Sequence, residues 1–361
     1  MRKSTGGWLV LAPMTVVLSA AFMTFAAETR TVSTVADLVQ ALDDLKDDAS
    51  NIVILAPSNY DVSACAMRCT TSNSGTALWS TSHVAISKLT LRGGGQTARD
   101  TVLYGDGTQR ILHAWQGKIE NLTISNGCTK ATDPASGGGI MAANSSTQCS
   151  NVVVTCCSAE ASAGIVNAQC IDCEISDCTA RTYGGGCAWL TFKKGKLLRN
   201  RAGTYGGGGF GIKVSDSLIA FNLADRSGGG LAYNAANTVD RCMIVSNRVE
   251  CWDSHSDNEA YGCGGGIWVT SDPVITVSDC LIACNEAIHR GGGVKGATLQ
   301  RCVVSNNVLR GAATYTKRAY GGGCDLCKAY DSQILFNLVT SDYCGSVGAA
   351  ECRTGRRPTA L

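Results

Sequence analysis

The densest chemistry in the sequence lies in one short stretch, Trp252-Asp253-Ser254-His255-Ser256-Asp257-Asn258-Glu259, where three carboxylates, an imidazole and an indole fall within eight residues. Oxygen ligands at this density are the kind that take up calcium, and an indole is the kind of ring that stacks on a sugar. The stretch lacks the spacing and the central glycine of an EF-hand loop. A solvated acidic loop is therefore expected, with no resident cofactor; calcium is the one ion its oxygens would suit. The candidate ligand-binding residues are Trp252, Asp253, His255, Asp257 and Glu259. Arg226, Arg290 and Lys295 each flank a glycine cluster and are placed on the same side of the molecule, although surface charge is their ordinary role.

Cysteine is the other reactive residue in quantity, at 20 of 361. Cys251 and Cys263 bracket the acidic stretch and are the candidate disulfide, while Cys65 and Cys69 form a second local pair in a polar segment. Cys170-x-x-Cys173 and Cys324-x-x-Cys327 have a spacing seen in zinc and redox sites. Both fall inside the repeat described next, so packing is the expected role and no metal site is assigned. Cys242, Cys280 and Cys302 recur at one repeat position, where stacked side chains point the same way and sulfurs do not meet without strain. Buried free thiols, packed as small hydrophobes, are expected there.

What positions these residues is a repeat. Glycine clusters occur at 137–139, 184–186, 206–209, 228–230, 264–266, 291–293 and 321–323, with Ser162-Ala163-Gly164 as a degenerate copy. An apolar residue or cysteine follows each. A second ladder falls at Cys157, Cys178, Asn200, Asn222, Asn247, Asn285, Asn307 and Asn337, each reached through a short run such as Leu218-Ile219-Ala220-Phe221. From Cys178, Asn200, Asn222 and Asn285 to the last glycine of the next cluster, counting Gly208 in the four-glycine run, is eight residues. The return to the ladder is fourteen, so the undecorated unit is twenty-two.

Two turn signals and short strands in a unit of this length predict an all-β fold, a right-handed single-stranded parallel β-helix whose coils pair with their neighbours and cannot bury their inner faces alone. Glycine serves the first turn through positive φ and close backbone approach. Asparagine is assigned to the second turn as a residue that tolerates the left-handed region and can bond its counterpart in the next coil. A leucine-rich repeat has a similar period, but the spaced leucines and helical periodicity it needs are missing. Thr34 precedes an amphipathic run with Val35, Leu38, Val39, Leu42 and Leu45 at helical spacing, and Asp37 stands where a capping box needs it. This predicts an N-terminal capping helix over the first coil. Strand-like segments follow at 51–56, 87–91, 101–104 and 119–124.

Arg2 and Lys3, the apolar run from Trp8 to Phe25 and the small residues Ala26 and Ala27 read as a signal peptide over 1–26. Without it the chain holds 29 basic and 29 acidic residues. That balance argues against nucleic acid as a partner, and no later stretch has the length and hydropathy of a transmembrane segment. The expected divisions are the capping helix and irregular first coils at 27–126, regular repeats at 127–340 and a basic tail at 341–361.

The glycine and asparagine ladders resemble those of pectin-lyase-like right-handed parallel β-helix proteins, and within that group they are similar to glycine-rich bacterial surface proteins of the polymorphic membrane protein type. Those proteins pair Gly-Gly-Ala-aliphatic with Phe-x-x-Asn; here a third glycine replaces alanine, and Phe adjoins Asn at Phe221-Asn222 and Phe336-Asn337. The resemblance implies a secreted or cell-surface protein, associated with the outer membrane, that acts as a structural, adhesion or glycan-binding module on extracellular polysaccharide or host and cell-surface glycan. It equally implies the alternative of a polysaccharide lyase or glycoside hydrolase on acidic polysaccharide. The paired-Asp, His-Gly and Arg-Ile-Lys motifs of polygalacturonases are missing, so binding is preferred over catalysis and no catalytic residue is assigned. The alternating ten-residue segments of an outer-membrane barrel are also missing. A released chain, one held by a partner, or a passenger separated from its translocator are the expected settings.

Overall fold

The computed structural model describes residues 27–45, 50–63, 65, 82–129, 136–250, 261–270, 275–310, 320–340 and 353–354. They form a right-handed parallel β-helix, as the repeat predicts. One coil shows how the sequence builds it. Strands Cys187–Ala188, Thr191–Lys193, Lys196–Leu198 and Arg201–Ala202 are separated by two-residue turns whose first residue has positive φ, namely Trp189 at 51°, Lys194 at 55° and Arg199 at 54°. Gly206, at 68°, starts the next coil. One left-handed residue turns the chain sharply at a cost of about 1–2 kcal/mol when it has a Cβ. Parallel pairing between coils offsets that cost.

Each strand pairs with the one twenty-two residues later: Cys187 with Gly209, Thr191 with Lys213, Lys196 with Leu218 and Arg201 with Leu223. Stacking produces a 22-stranded sheet, a 10-stranded sheet beside the glycine turns and an 8-stranded sheet beyond the asparagine turns. The lumen holds one continuous apolar cluster from Val32 to Ala329.

The asparagines do line one edge, but not in the conformation assigned above. The left-handed residue is the one before each of them: Arg199, Phe221, Ser246, Cys284, Asn306 and Phe336. The physical reason is that the turning residue points outward, with Phe221 61% and Phe336 83% exposed, while the next residue points inward. Asn200, Asn222, Asn247, Asn285 and Asn307 are accordingly buried. The Asn200 backbone N–H and its Nδ2 both donate to Asn222 Oδ1, at 3.0 and 3.1 Å, and Nδ2 also donates to Ile175 O in the preceding coil. The pattern repeats from Asn222 to Asn247, Asn285, Asn307 and Asn337.

A second ladder of the same logic stands five residues earlier. Gly195 N–H donates to Ser217 Oγ, Cys242 N–H to Cys280 Sγ and Cys302 N–H to Ser332 Oγ, at 3.1, 3.3 and 3.0 Å. Thiol and hydroxyl thus do the same work, which accounts for the cysteines at this position. Cys170 and Cys173 are buried in the lumen, and among the described residues no group of three metal-ligating side chains is assembled. Burial holds the Cys178 and Cys187 thiols well above the ordinary range.

Glycine is used in two ways within each cluster. Gly184, Gly206, Gly228, Gly264, Gly291 and Gly321 take positive φ. The glycines behind them admit neighbouring coils: a Cβ on Gly207 would lie 2.3 Å from Leu223 O and 2.4 Å from Gly229 O.

The capping helix spans Val35–Asp44, with Thr34 Oγ1 accepting from Asp37 N–H at 3.1 Å. Leu38 and Ala41 are buried over the first coil, whereas Val39 is 38% exposed and lies off the buried face. The strand expected at 87–91 is displaced. Strand Ser82–Ser87 belongs to the glycine-side sheet and Thr90–Gly93 to the largest sheet, with Lys88 at φ 58° turning between them.

Candidate functional site

The acidic stretch with Trp252, Asp253, His255, Asp257 and Glu259 lies outside the described residues, as does Cys251 of the candidate disulfide. Cys263 is buried in a cluster on the outside of the solenoid, together with Ala188, Phe210, Ala232 and Trp268 and flanked by Tyr183 and Tyr205. That outer cluster is the unusual feature of the molecule. A solenoid needs apolar residues in its lumen, not on its outer surface.

The register of the glycine-side sheet builds it. Ala188, Phe210, Ala232, Trp268, Lys295 and Asp325 are paired in succession on one outward column. A second column, beside the glycine turns, runs through Tyr205, Ser227, Cys263, Arg290 and Tyr320 by successive parallel bridges. Both columns are one rung of ~4.8 Å per coil.

Rings and cations on and beside these columns touch one another. Tyr183 packs on Phe210 at 4.8 Å between centroids and edge-on to Trp189 at 5.3 Å. Tyr205 stacks on Trp268 at 4.9 Å with 7° between planes, and Lys295 Nζ lies 5.9 Å from the Trp268 ring centre. Arg226 sits 4.7 Å from the Tyr261 ring and donates to Tyr261 Oη at 3.2 Å; Arg290 sits 4.8 Å from the Tyr320 ring. Burial raises the Tyr205 phenol, and a hydrogen bond from Arg226 opposes that rise. Asp325 is the carboxylate of the run, 3.7 Å from Arg290. Among the described residues Lys295 makes no ion pair and the buried Trp268 indole N–H has no acceptor, while Trp189 is 43% exposed.

Arg226, Arg290 and Lys295 therefore do line one side, as their places beside the glycine turns suggested. The aromatic half of the surface was missed. Its signal was present as a tyrosine directly before the turn glycine in Tyr183-Gly184, Tyr205-Gly206 and Tyr320-Gly321.

A second concave feature lies on the 22-stranded sheet. Residues 97–99 overhang it, held by Thr123 Oγ1 donating to Ala98 O at 2.9 Å and by Asn121 Nδ2 donating to Gly95 O at 2.8 Å. The cleft beneath has a volume of about 370 Å³ and is lined by Asp172, Glu174, Lys194 and Lys196 among others. Glu174 is occupied by Arg99 at 2.8 Å and Lys196 at 3.7 Å.

No protein-family model matches the chain, and no curated protein sequence does. Solved structures with a similar backbone path include the catalytic domain of a GH87 α-1,3-glucanase, at 12% identity and TM-score 0.45, covering 87% of this chain and 68% of that one. Pectate lyase Pel9A is similar at 10% identity and TM-score 0.43, covering 90% of this chain and 82% of its own. A PL6 family alginate lyase, AlyGC, is similar at 13% identity and TM-score 0.41, covering 78% of this chain and 39% of its own. At such identities the likeness concerns fold. Among the described residues no helix is long and apolar enough to cross a membrane.

Proposed function

We propose that this chain is an exported β-helix that binds polysaccharide on the outer face of its glycine-side sheet, as an adhesion or structural module. The supporting observation is the run of touching rings and cations from Tyr183 to Tyr320, on a surface where the fold itself requires only solvated residues. Aromatic faces stack on the apolar faces of sugar rings, and guanidinium and ammonium groups bond hydroxyls and acid groups. The solenoid holds both at fixed rung spacing, so the surface is organised before the ligand arrives.

Cleavage of an acidic polysaccharide is the alternative. Among the described residues of this face Asp325 is the carboxylate of the run and Arg290 lies against it, whereas glycoside hydrolysis needs two carboxylates in different protonation states. Affinity electrophoresis of the full chain through gels containing soluble glycans tests the proposal. Retardation that is lost in Trp189→Ala and weakened in Arg226→Ala supports it, with unchanged circular dichroism as the folding control. Release of reducing ends or unsaturated products from the same glycans would favour the enzymatic alternative, and absence of both retardation and turnover would remove the site.

A further inference from the structure

The largest sheet carries an apolar stripe on its outer surface. On the strands that lead to the asparagine turns, Leu218, Met243, Leu281 and Val303 are paired in succession, and each is followed by a lumen residue, Ile219, Ile244, Ile282 or Val304. Beside them runs a second outward column of Ala220, Val245 and Ala283. Met243 is 49% exposed, although nothing in the solenoid itself calls for an apolar residue there. The stripe is bordered by the corner that precedes these strands. In six successive coils the left-handed residue of that corner is Lys194, Asp216, Arg241, Asp279, Arg301 and Asp331, with φ between 50° and 55°. Base and acid alternate without a break. Asp216 and Arg241 form one two-bond pair and Asp279 and Arg301 another, while among the described residues Lys194 and Asp331 are in no ion pair.

We propose that this face is a contact between two copies of the chain, related by a two-fold axis that runs along the strands between the rungs of Met243 and Leu281, so that the solenoids lie antiparallel. A face that packs on itself in this way must match its own reverse. The apolar columns do: Met243 meets Leu281 of the second copy, Leu218 meets Val303, and Val245 meets Ala283, a larger residue over a smaller one. The corner obeys the same operation. Asp216 meets Arg301, Arg241 meets Asp279 and Lys194 meets Asp331, opposite signs at every rung. The pairs within each copy stay intact, because an acid and base laid beside their own reverse attract at both ends. Shifting the copies by one rung would set acid on acid and base on base, so the ladder also fixes the register. A lipid or a glycan would cover the stripe but has no use for signs that alternate at one-rung spacing. From corner to corner the face is roughly 17 Å wide, and its six rungs span roughly 24 Å, the low end for a specific interface. The stripe lies on a different sheet from the glycine-side face, so this inference stands independently of glycan binding.

Sedimentation equilibrium of the full chain tests this. A monomer–dimer equilibrium is expected, with a Kd on the order of 10 µM for an interface of this size. Met243→Lys places a cation of each copy at the apolar centre and should weaken the dimer by about tenfold or more, and Leu281→Glu should do the same. Because Met243 is half exposed, its variant is expected to melt as the parent does. Val303→Lys, opposite Leu218, replaces either variant if that one fails to fold. Combining Met243→Lys with Leu281→Glu sets each new cation against a new anion and should recover much of the affinity. Sedimentation as a monomer throughout overturns the inference, whether or not liposomes or glycans are then found to coat the stripe. A dimer of unchanged affinity in both single variants also overturns it, and a double variant no tighter than the single ones overturns the two-fold pairing.

Discussion

Replacing Asn222 by alanine is the perturbation with the most local consequence. Its Oδ1 accepts from Asn200 N–H at 3.0 Å and from Asn200 Nδ2 at 3.1 Å, and its own Nδ2 donates to Leu197 O and to Asn247 Oδ1, both at 2.9 Å. The side chain is 1% exposed, so water cannot take over these bonds. Alanine would orphan the Asn200 N–H and deprive Leu197 O of a donor, each at about 1–3 kcal/mol, for a loss of about 4 kcal/mol. Asn337 makes the equivalent bonds to Asn307 and Val304 at the half-buried end of the ladder. Water can replace its side chain, so Asn337→Ala should cost about 1 kcal/mol. Urea unfolding followed by far-ultraviolet circular dichroism measures both, with the slope compared first to confirm that the transitions are alike. Equal, small losses at the two positions would refute the view that the asparagines stabilise the stack by satisfying buried backbone groups. Asn222→Asp sharpens the test, because a buried carboxylate regains stability as it is protonated and should therefore improve as pH falls.

Three further outcomes follow from the same structure. Cys280→Ser should unfold within about 1 kcal/mol of the parent, because serine already fills this role at 217 and 332, whereas Cys280→Val should lose about 1–3 kcal/mol by orphaning the Cys242 N–H; equal losses in denaturant titrations would deny the thiol its acceptor role. Gly207→Ala, whose Cβ would fall 2.3 Å from Leu223 O, should cost about 3 kcal/mol and lower the melting temperature of the whole solenoid. His113 is 4% exposed; burial, aided by Arg110, lowers its imidazole from 6.5 to about 4, so the folded state resists the proton that the unfolded state accepts. Stability is full above the unfolded value and declines between about pH 6.5 and 4, by up to about 3 kcal/mol, and His113→Met should flatten that part of a melting-temperature profile against pH.

The repeat made much of this architecture legible. Glycine clusters and asparagines at fixed separation imply that coils stack in register, because only a stacked coil gives the same residue the same surroundings every twenty-two positions. The capping helix was equally legible from the helical spacing of Val35, Leu38, Val39, Leu42 and Leu45 and from Thr34 at its start. The conformation of the asparagine turn was not. Residues as unlike as Arg199, Phe221, Ser246 and Cys284 take positive φ there, since outward-facing turning residues are chosen by the stack and not by their own preference.

The candidate surface divides in the same way. That Arg226, Arg290 and Lys295 share a side follows from their places beside the glycine turns, a matter of period alone. That Tyr205 lies on Trp268, sixty-three positions later in the chain, depends on which residues of successive coils face outward at one rung and on the rotamers that bring the rings together. A repeating pattern settles which coil a residue occupies, because spacing is a property of the chain. Contact across coils is decided by packing in three dimensions, where an insertion of any length between two rungs leaves the rungs themselves adjacent.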